Sequence, residues 1–227
     1  MFDSMPAVIS TYGQEIDHLI RFIYIVTASF FVVMEGLLIW MVVKSAFFKP
    51  APSRYETGET LFQMRWVLAL ALSVLALDLV IDAKGAAIWT RVKEEFPECD
   101  LTVRATAKQF DWTFTYTGAD GKLDTADDIT ASRTLRVPVH QKVRVLLTSR
   151  DVIHSFFLHE VRLKQDILPG REIPVWFELT ATGTYNIFCS ELCGFGHTRM
   201  SGVLESMDDK EFQAWMAQEI RSQKGGK

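Results

Sequence analysis

Two long apolar runs set the strongest limit on what this chain can fold into. Phe22–Val43 carries one charge, Glu35, and Leu61–Ile81 is interrupted only by Arg65 and Asp78. About 20 apolar residues cross the hydrocarbon core of a bilayer as a helix. Both runs meet that length, so both are expected to be transmembrane helices rather than a hairpin buried in a soluble core. Met1–Ser10 lacks a basic stretch before a short apolar core, so the first run is expected to stay as an anchor. The connecting segment carries Lys44, Lys49, Arg54 and Arg65, whereas Asp3, Glu15 and Asp17 precede the first run with Arg21. The excess of cations places the connecting loop in the cytoplasm and both termini outside. Carboxylates inside a membrane are functional candidates, so Glu35 and Asp78 are expected to face a partner rather than lipid.

The rest of the chain reads differently. Of 227 residues 48% are hydrophobic, and the two runs hold the excess. Over 101–206 short β-branched and aromatic segments alternate with turns: Thr102–Phe114, Thr134–Val139, Val143–Thr148, Val175–Leu179, Tyr185–Phe188 and Gly202–Glu205. Asp120-Gly121 and Ala181-Thr182-Gly183 supply turn signals. This pattern predicts a small Greek-key sandwich. Asp208–Ile220 reads as an amphipathic helix with Phe212, Trp215 and Met216 on one side. The expected division is a helical hairpin over 1–92 and an outer domain over 93–227. The chain has no phosphate-binding glycine loop, nucleophile elbow or basic nucleic-acid stretch. It also lacks Cys-x-x-Cys-His, which excludes a covalently attached c-type haem.

The chemistry concentrates in Cys189-Ser-Glu-Leu-Cys193-Gly-Phe-Gly-His197-Thr-Arg-Met200. The i, i+4, i+8 spacing would align Cys189, Cys193 and His197 on a helix, but Gly194 and Gly196 disfavour one. A ligand loop between two strands is expected instead. His154, in Asp151-Val-Ile-His-Ser-Phe156, adds a second imidazole. Thiolate, thioether and imidazole select copper, zinc or iron–sulfur over magnesium or calcium. Structural zinc needs only two Cys and two His, in closer pairs, and has no use for Met200. A Cys189–Cys193 disulfide is the plainer alternative. One blue-copper ion takes two His, one Cys and a weak Met, which leaves a thiolate over. Two bridging thiolates with one His on each side suit a pair of copper ions.

These motifs resemble subunit II of the cytochrome c (haem–copper) oxidases. Lys164-Gln-Asp-Ile-Leu-Pro-Gly-Arg171 and Gln109-Phe-Asp-Trp-Thr-Phe-Thr-Tyr116 add to the likeness, which covers nearly the whole chain. The resemblance implies two N-terminal transmembrane helices, a cupredoxin-like β-sandwich and a short C-terminal helix. It implies a dinuclear copper centre, CuA, with His154, Cys189, Cys193, His197 and Met200 as ligands and the Glu191 carbonyl facing one copper. The Glu191 carboxylate would reach a magnesium shared with subunit I. Electrons would come from a c-type cytochrome or similar donor and pass to haem in subunit I. That subunit reduces oxygen, so this chain holds no O2 site. Subunits I and III would be partners in a proton-translocating complex in the bacterial cytoplasmic membrane, with the N-terminus and copper domain on the periplasmic side. Two readings from other classes compete: a membrane-anchored copper-delivery protein, and a structural anchor of a quinol-type oxidase, which has lost the cysteines present here.

One departure stands out. Where the family's aromatic run begins with an exposed tryptophan that receives electrons, this chain has Phe110, followed by Asp111 and Trp112. Phe110 and Trp112 are therefore the expected rings for electron arrival. Glu59, in Glu-Thr-Leu-Phe, resembles the family's stretch at the mouth of a proton path. Residues 120–128 hold Asp120, Asp124, Asp127 and Asp128 without the spacing of an EF-hand. They are expected to form a solvated loop, with a weak calcium site or a docking patch for a basic donor as alternatives. Cys99 has no partner cysteine, His159 stands where the family commonly has proline, and His18 and His140 are expected to be structural or surface residues. Asp151 and Asp166 are candidates for orienting ligands or for lying near docking and proton-exit surfaces.

Overall fold

The computed structural model describes residues 5–48, 55 and 57–225, with side chains up to 222. Asp3, Lys49 and Arg54, three of the charges used for the topology, lie outside the described residues. The chain divides into two compact units, Glu15–Thr90 and a second made of Met1–Gln14 with Arg91–Lys227. The N-terminal segment up to Gln14 groups with the residues after Thr90.

The helical unit holds α1 (Gly13–Phe47) and α2 (Leu61–Trp89), followed by a π-helical turn, Thr90–Glu94. Both are longer than the apolar runs, because no breaker separates those runs from the polar turns beside them. The Thr60 hydroxyl and the Gln63 side chain cap α2 reciprocally. None of the most apolar window of either helix is buried within the chain, so these faces require lipid or partner helices. Ser29 and Ser73 hydroxyls donate to the carbonyls of Ile25 and Leu70, the local pairing that hydrocarbon demands of polar groups. Glu35 and Asp78 are exposed on these helices.

The outer unit is a sandwich of two five-stranded sheets. One has the order β3-β2-β1-β5-β8: Ile129–Ser132, Asp111–Tyr116, Leu101–Lys108, Lys142–Ser149 and Ile173–Glu178. The other has the order β4-β10-β9-β6-β7: Thr134–Pro138, Ser201–Met207, Gly183–Cys189, His154–Leu158 and Leu163–Ile167. Strand β5 shows why: Val143, Val145, Leu147 and Ser149 point inward, with their neighbours half-buried outside. Trp112, Phe114, Phe156, Phe177 and Leu204 fill the space between the sheets. The expected single segment 102–114 is two strands, because Gln109-Phe110 turns the chain between β1 and β2. Strands β3, β6 and β7 had no counterpart in the sequence pattern.

Two additions close the sandwich. Helix α3 (Asp209–Gly225) lays Phe212 and Trp215 on Tyr116, with ring centroids 6.5 and 5.0 Å away. The N-terminal segment runs along the strand ends: Ile9 N–H donates to Glu160 O, Thr11 N–H to Glu178 O, and Thr180 N–H to Ile9 O. It buries Ile9 and all of Tyr12, whose phenol is pushed well above its ordinary pKa by that burial.

Candidate metal centre

Strand pairing brings the ligand candidates together. Strand β9 ends at Cys189, directly opposite Phe156 of β6. His154, two residues back, is on the same face as Phe156 because side chains alternate along a strand. Strand β10 starts at Ser201 opposite Phe188, and Cys189 N–H donates to Met200 O. Residues 190–200 therefore leave and return at one point, closing with a 3-10 turn, His197–Arg199. The expected loop between strands is what forms.

The donors line up as imidazole, thiol, thiol, imidazole. His154 Nδ1 is 3.7 Å from Cys189 Sγ, the two sulfurs are 3.8 Å apart, and His197 Nδ1 is 3.6 Å from Cys193 Sγ. Met200 Sδ lies 3.8 Å from Cys193 Sγ, and the Glu191 carbonyl oxygen lies 3.3 Å from Cys189 Sγ. His154, Cys189 and Cys193 are buried and their ligand atoms fall within 4.8 Å of one another, a group able to hold a metal ion. The cysteines are free, so the disulfide alternative does not hold. Burial and the adjacent Cys189 push the Cys193 thiol up to about 11. Without a cation Cys193 is held as a thiol, so metal binding there must release a proton.

A shell of hydrogen bonds sets the ring and loop orientations. His154 has no exposed surface, and its Nε2 is 2.8 Å from Asp151 Oδ1. That leaves Nδ1 toward the sulfurs, the arrangement in which a carboxylate fixes a ligand tautomer. Asp151 also accepts from the Gln109 and Val152 amides, each at 2.7 Å. Burial pushes its pKa up, but the hydrogen bonds from Gln109, His154 and Val152 outweigh this and hold it below the ordinary carboxylate range. Gln109 Nε2 donates to Cys193 O at 2.6 Å. Ser190 N–H donates to Ser155 O, while Ser155 Oγ donates to Asp166, itself paired with Lys164. Asp151 thus orients a candidate ligand directly, and Asp166 acts one residue further out, through Ser155. The Gln109 clamp was hidden in the sequence; its only signal was its place at the head of the aromatic run.

The glycines in the loop have a steric cause. The Phe110 ring lies so close that a Cβ on Gly196 would meet ring carbons at 2.5 Å, and Gly194 adopts φ +135°. Phe110 is half-buried over this loop. Trp112 is not a surface ring at all. It is fully buried, packed on Phe156 at 5.6 Å and His154 at 6.5 Å between centroids. It cannot touch a donor protein, which corrects the expectation that it receives electrons directly.

The other candidates lie elsewhere. His159 is five residues along from His154, about 16 Å at the rise of a strand, with its ring against Phe157 and Phe188. Cys99 is half-buried with Sγ 3.3 Å from Pro97 O, and burial raises its pKa. The 120–128 loop is knitted by its own groups: Thr125 Oγ1 donates to Asp127, and Asp120 N–H to Asp127 Oδ2. Asp124 pairs with Arg104, which also holds Glu172 at 3.1 Å. Glu59 is exposed immediately before the Thr60 cap of α2.

Comparison with known proteins decides the family. The family model for cytochrome c oxidase subunit II, periplasmic domain, matches residues 101–207. The crystal structure of the periplasmic domain of subunit II of Bradyrhizobium japonicum cytochrome oxidase superposes with a TM-score of 0.51 at 32% identity, covering 56% of this chain and 99% of that one. The chain belongs to the cytochrome c oxidase subunit II family. A probable cytochrome c oxidase subunit 2 of Rickettsia felis is 27% identical over 94% of this chain and 70% of its own length. Cytochrome c oxidase subunit 2 of Thermostichus vulcanus is 38% identical over 52% of this chain and 33% of its own. The periplasmic domain of this family is an electron-transport cupredoxin, and the two apolar helices fit a membrane-anchored protein.

Proposed function

We propose that this chain is the electron-receiving subunit of a haem–copper oxidase. It takes single electrons from a c-type cytochrome or similar periplasmic donor and delivers them to haem in subunit I, where oxygen is reduced. One arrangement carries the reading: two thiols side by side with an imidazole at each end and a thioether beside them. This donor set fits copper. His197 approaches from the Cys193 side and is outside the mutual group of His154, Cys189 and Cys193. A tetrahedral ion with bonds of about 2.0–2.3 Å would gather all four donors, so the row favours two ions sharing the sulfurs. Cys189 and Cys193 would bridge them, His154 and His197 would cap the ends, and Met200 and the Glu191 carbonyl would bind more weakly. A dinuclear copper centre held there would supply a one-electron redox step with little change of geometry.

The chain's own residues prepare that step. Asp151 fixes the His154 ring, Gln109 fixes the Cys193 carbonyl, and the buried thiols exclude water. Phe110, packed on the loop, is the ring through which the centre is approached from outside. The membrane is the bacterial cytoplasmic membrane, with the sandwich and N-terminus on the periplasmic side and residues 44–65 facing the cytoplasm. Subunits I and III are the partners. The Glu191 carboxylate is half-buried in the loop, and it would reach a magnesium shared with subunit I. Glu59 would stand at a proton path. The test is Cys193→Ser in the assembled oxidase. Oxidation of reduced cytochrome c should fall at least a hundredfold with haem content retained; a wild-type rate would exclude electron passage through this site.

A further inference from the structure

The two helices of the hairpin leave a cavity of about 320 Å³ between them. Leu19 and Phe22 of α1 and Ala87 and Ile88 of α2 give it apolar walls. Glu15 and His18 of α1 and Lys84 of α2 bring ionisable groups to the same space. All seven belong to the helical unit Glu15–Thr90. The small Ala87 side chain leaves room that a larger one would fill.

The level of these groups in a membrane follows from the sequence. The apolar runs Phe22–Val43 and Leu61–Ile81 each extend about 32 Å as helix, close to the thickness of the hydrocarbon core. Phe22 and Ile81 therefore mark the same edge of that core, at the end of the hairpin away from its connection. Counted along the helices from this edge, Lys84 stands about 5 Å outside, His18 about 6 Å and Glu15 about 10 Å. The polar layer of a bilayer is about 5–8 Å deep on each side. Lys84 and His18 thus lie within it and Glu15 at its watery rim. Trp89, exposed at the end of α2, is the type of ring that anchors a helix at this interface. Going outward, the cavity offers an apolar ring, then two nitrogen donors, then a carboxylate. A phospholipid with an amino headgroup presents acyl chain, phosphate and ammonium in that order.

We infer that this cavity binds one phospholipid of the ethanolamine class. Lys84 and His18 donate to its phosphate, Glu15 accepts from its ammonium, and the head of one acyl chain lies against Leu19 and Phe22. The volume is that of a small-ligand site and less than a whole two-chain lipid. The rest of the chains run along the apolar faces of α1 and α2, whose most apolar windows are not buried within the chain. A partner helix is the competing occupant. It would strip water from three ionisable side chains without pairing them, which is costly, whereas the headgroup supplies a partner for each. A choline headgroup carries the same charges but has no N–H for Glu15, and a glycerol headgroup has no cation at all. The expected order of preference is ethanolamine, choline, glycerol. The inference depends on the hairpin crossing a membrane and not on the electron-receiving role.

The test is native mass spectrometry of the full chain in detergent, with phosphatidylethanolamine, phosphatidylcholine or phosphatidylglycerol of identical acyl chains. Wild type should retain one ethanolamine lipid, bound about tenfold more tightly than the choline lipid, as the loss of a charge-assisted hydrogen bond implies. Glu15→Gln, nearly isosteric at an exposed position, should erase that preference and leave choline binding unchanged. Lys84→Gln should weaken both lipids alike, and Ala87→Phe should prevent retention by filling the cavity. Because Glu15→Gln reads a ratio between two lipids, it decides the matter even where Ala87→Phe disturbs the helix pair. In the assembled oxidase complex, a diazirine-bearing ethanolamine lipid should cross-link within residues 15–22 or 84–88. An unchanged preference in Glu15→Gln overturns the inference, as does glycerol lipid held as tightly as ethanolamine lipid. Displacement by free glycerophosphoethanolamine at equal concentration would make the ligand a soluble phosphoester and overturn the lipid assignment. No cross-link to either helix in the complex, the result expected if another subunit fills this space, also overturns it. Release of the chain from membranes by alkaline carbonate would instead sink the membrane-spanning reading.

Discussion

Asp151→Ala removes the group on which the His154 orientation depends. His154 is fully buried and its Nε2 has Asp151 as acceptor at 2.8 Å. Leaving a buried donor unpaired costs about 1–3 kcal/mol. The Gln109 and Val152 amides lose their carboxylate as well, but both residues are exposed and water replaces it. The metal-free outer unit should therefore lose about 2 kcal/mol of stability, roughly thirtyfold in its folding equilibrium. Freeing the ring also removes the constraint on a ligand, which lowers metal affinity about 10–100-fold. The sign with pH follows from the depressed pKa of Asp151. Its stabilisation is present above the unfolded carboxylate value of about 3.9 and is lost as pH falls through the lower folded value. The stability gap between wild type and variant should thus be full at pH 7 and vanish in strong acid. Urea unfolding of the metal-free protein at several pH values, with copper competition against a chelator, measures both. Equal copper affinity and equal stability at pH 7 would refute the orienting role.

Met200→Leu should keep the copper but change its spectrum, because a thioether beside one sulfur is the weakest donor of the set; loss of all metal would contradict this. Gly196→Ala should displace the Phe110 ring, since the new methyl would fall 2.5 Å from ring carbons. A destabilisation of about 1–3 kcal/mol is expected from such overpacking, read by urea unfolding and relieved in the Phe110→Leu background. An outer unit beginning at residue 95 lacks Ile9 and the fully buried Tyr12. Burial of such side chains contributes about 1.5–3 kcal/mol each, so this fragment should unfold at lower urea than the full chain, and a synthetic peptide of residues 1–14 should restore part of the difference.

The features legible in the sequence were those with local signatures. Apolar length announced α1 and α2, and period-two burial announced β5. Two glycines between Cys193 and His197 announced a loop rather than a helix, and the structure supplies the reason in the Phe110 ring. Other features depended on contacts distant in sequence. Strands β6 and β7 were invisible because His154-Ser155 and Lys164-Gln165-Asp166 put polar groups where the metal site and its supports need them. Trp112 and Phe110 are two residues apart, yet one is core and the other half-exposed, because Trp112 is on the buried face of β2 whereas Phe110 sits in the turn before that strand begins. Residues 5–14 were grouped with the helical hairpin over 1–92, whereas the backbone of Ile9 and Thr11 pairs with segments more than 150 positions away. The acidic loop stood out as a charge cluster, whereas the pairing of its Asp124 with Arg104, twenty residues away, appears only in the fold.

The central claim is a pair of copper ions on two shared thiolates, and copper stoichiometry with electron paramagnetic resonance of the purified chain tests it most directly. Two coppers per chain with a seven-line hyperfine pattern, from one unpaired electron spread equally over both nuclei, is the predicted result. One metal per chain with a four-line copper spectrum, or a spectroscopically silent zinc ion, would contradict it.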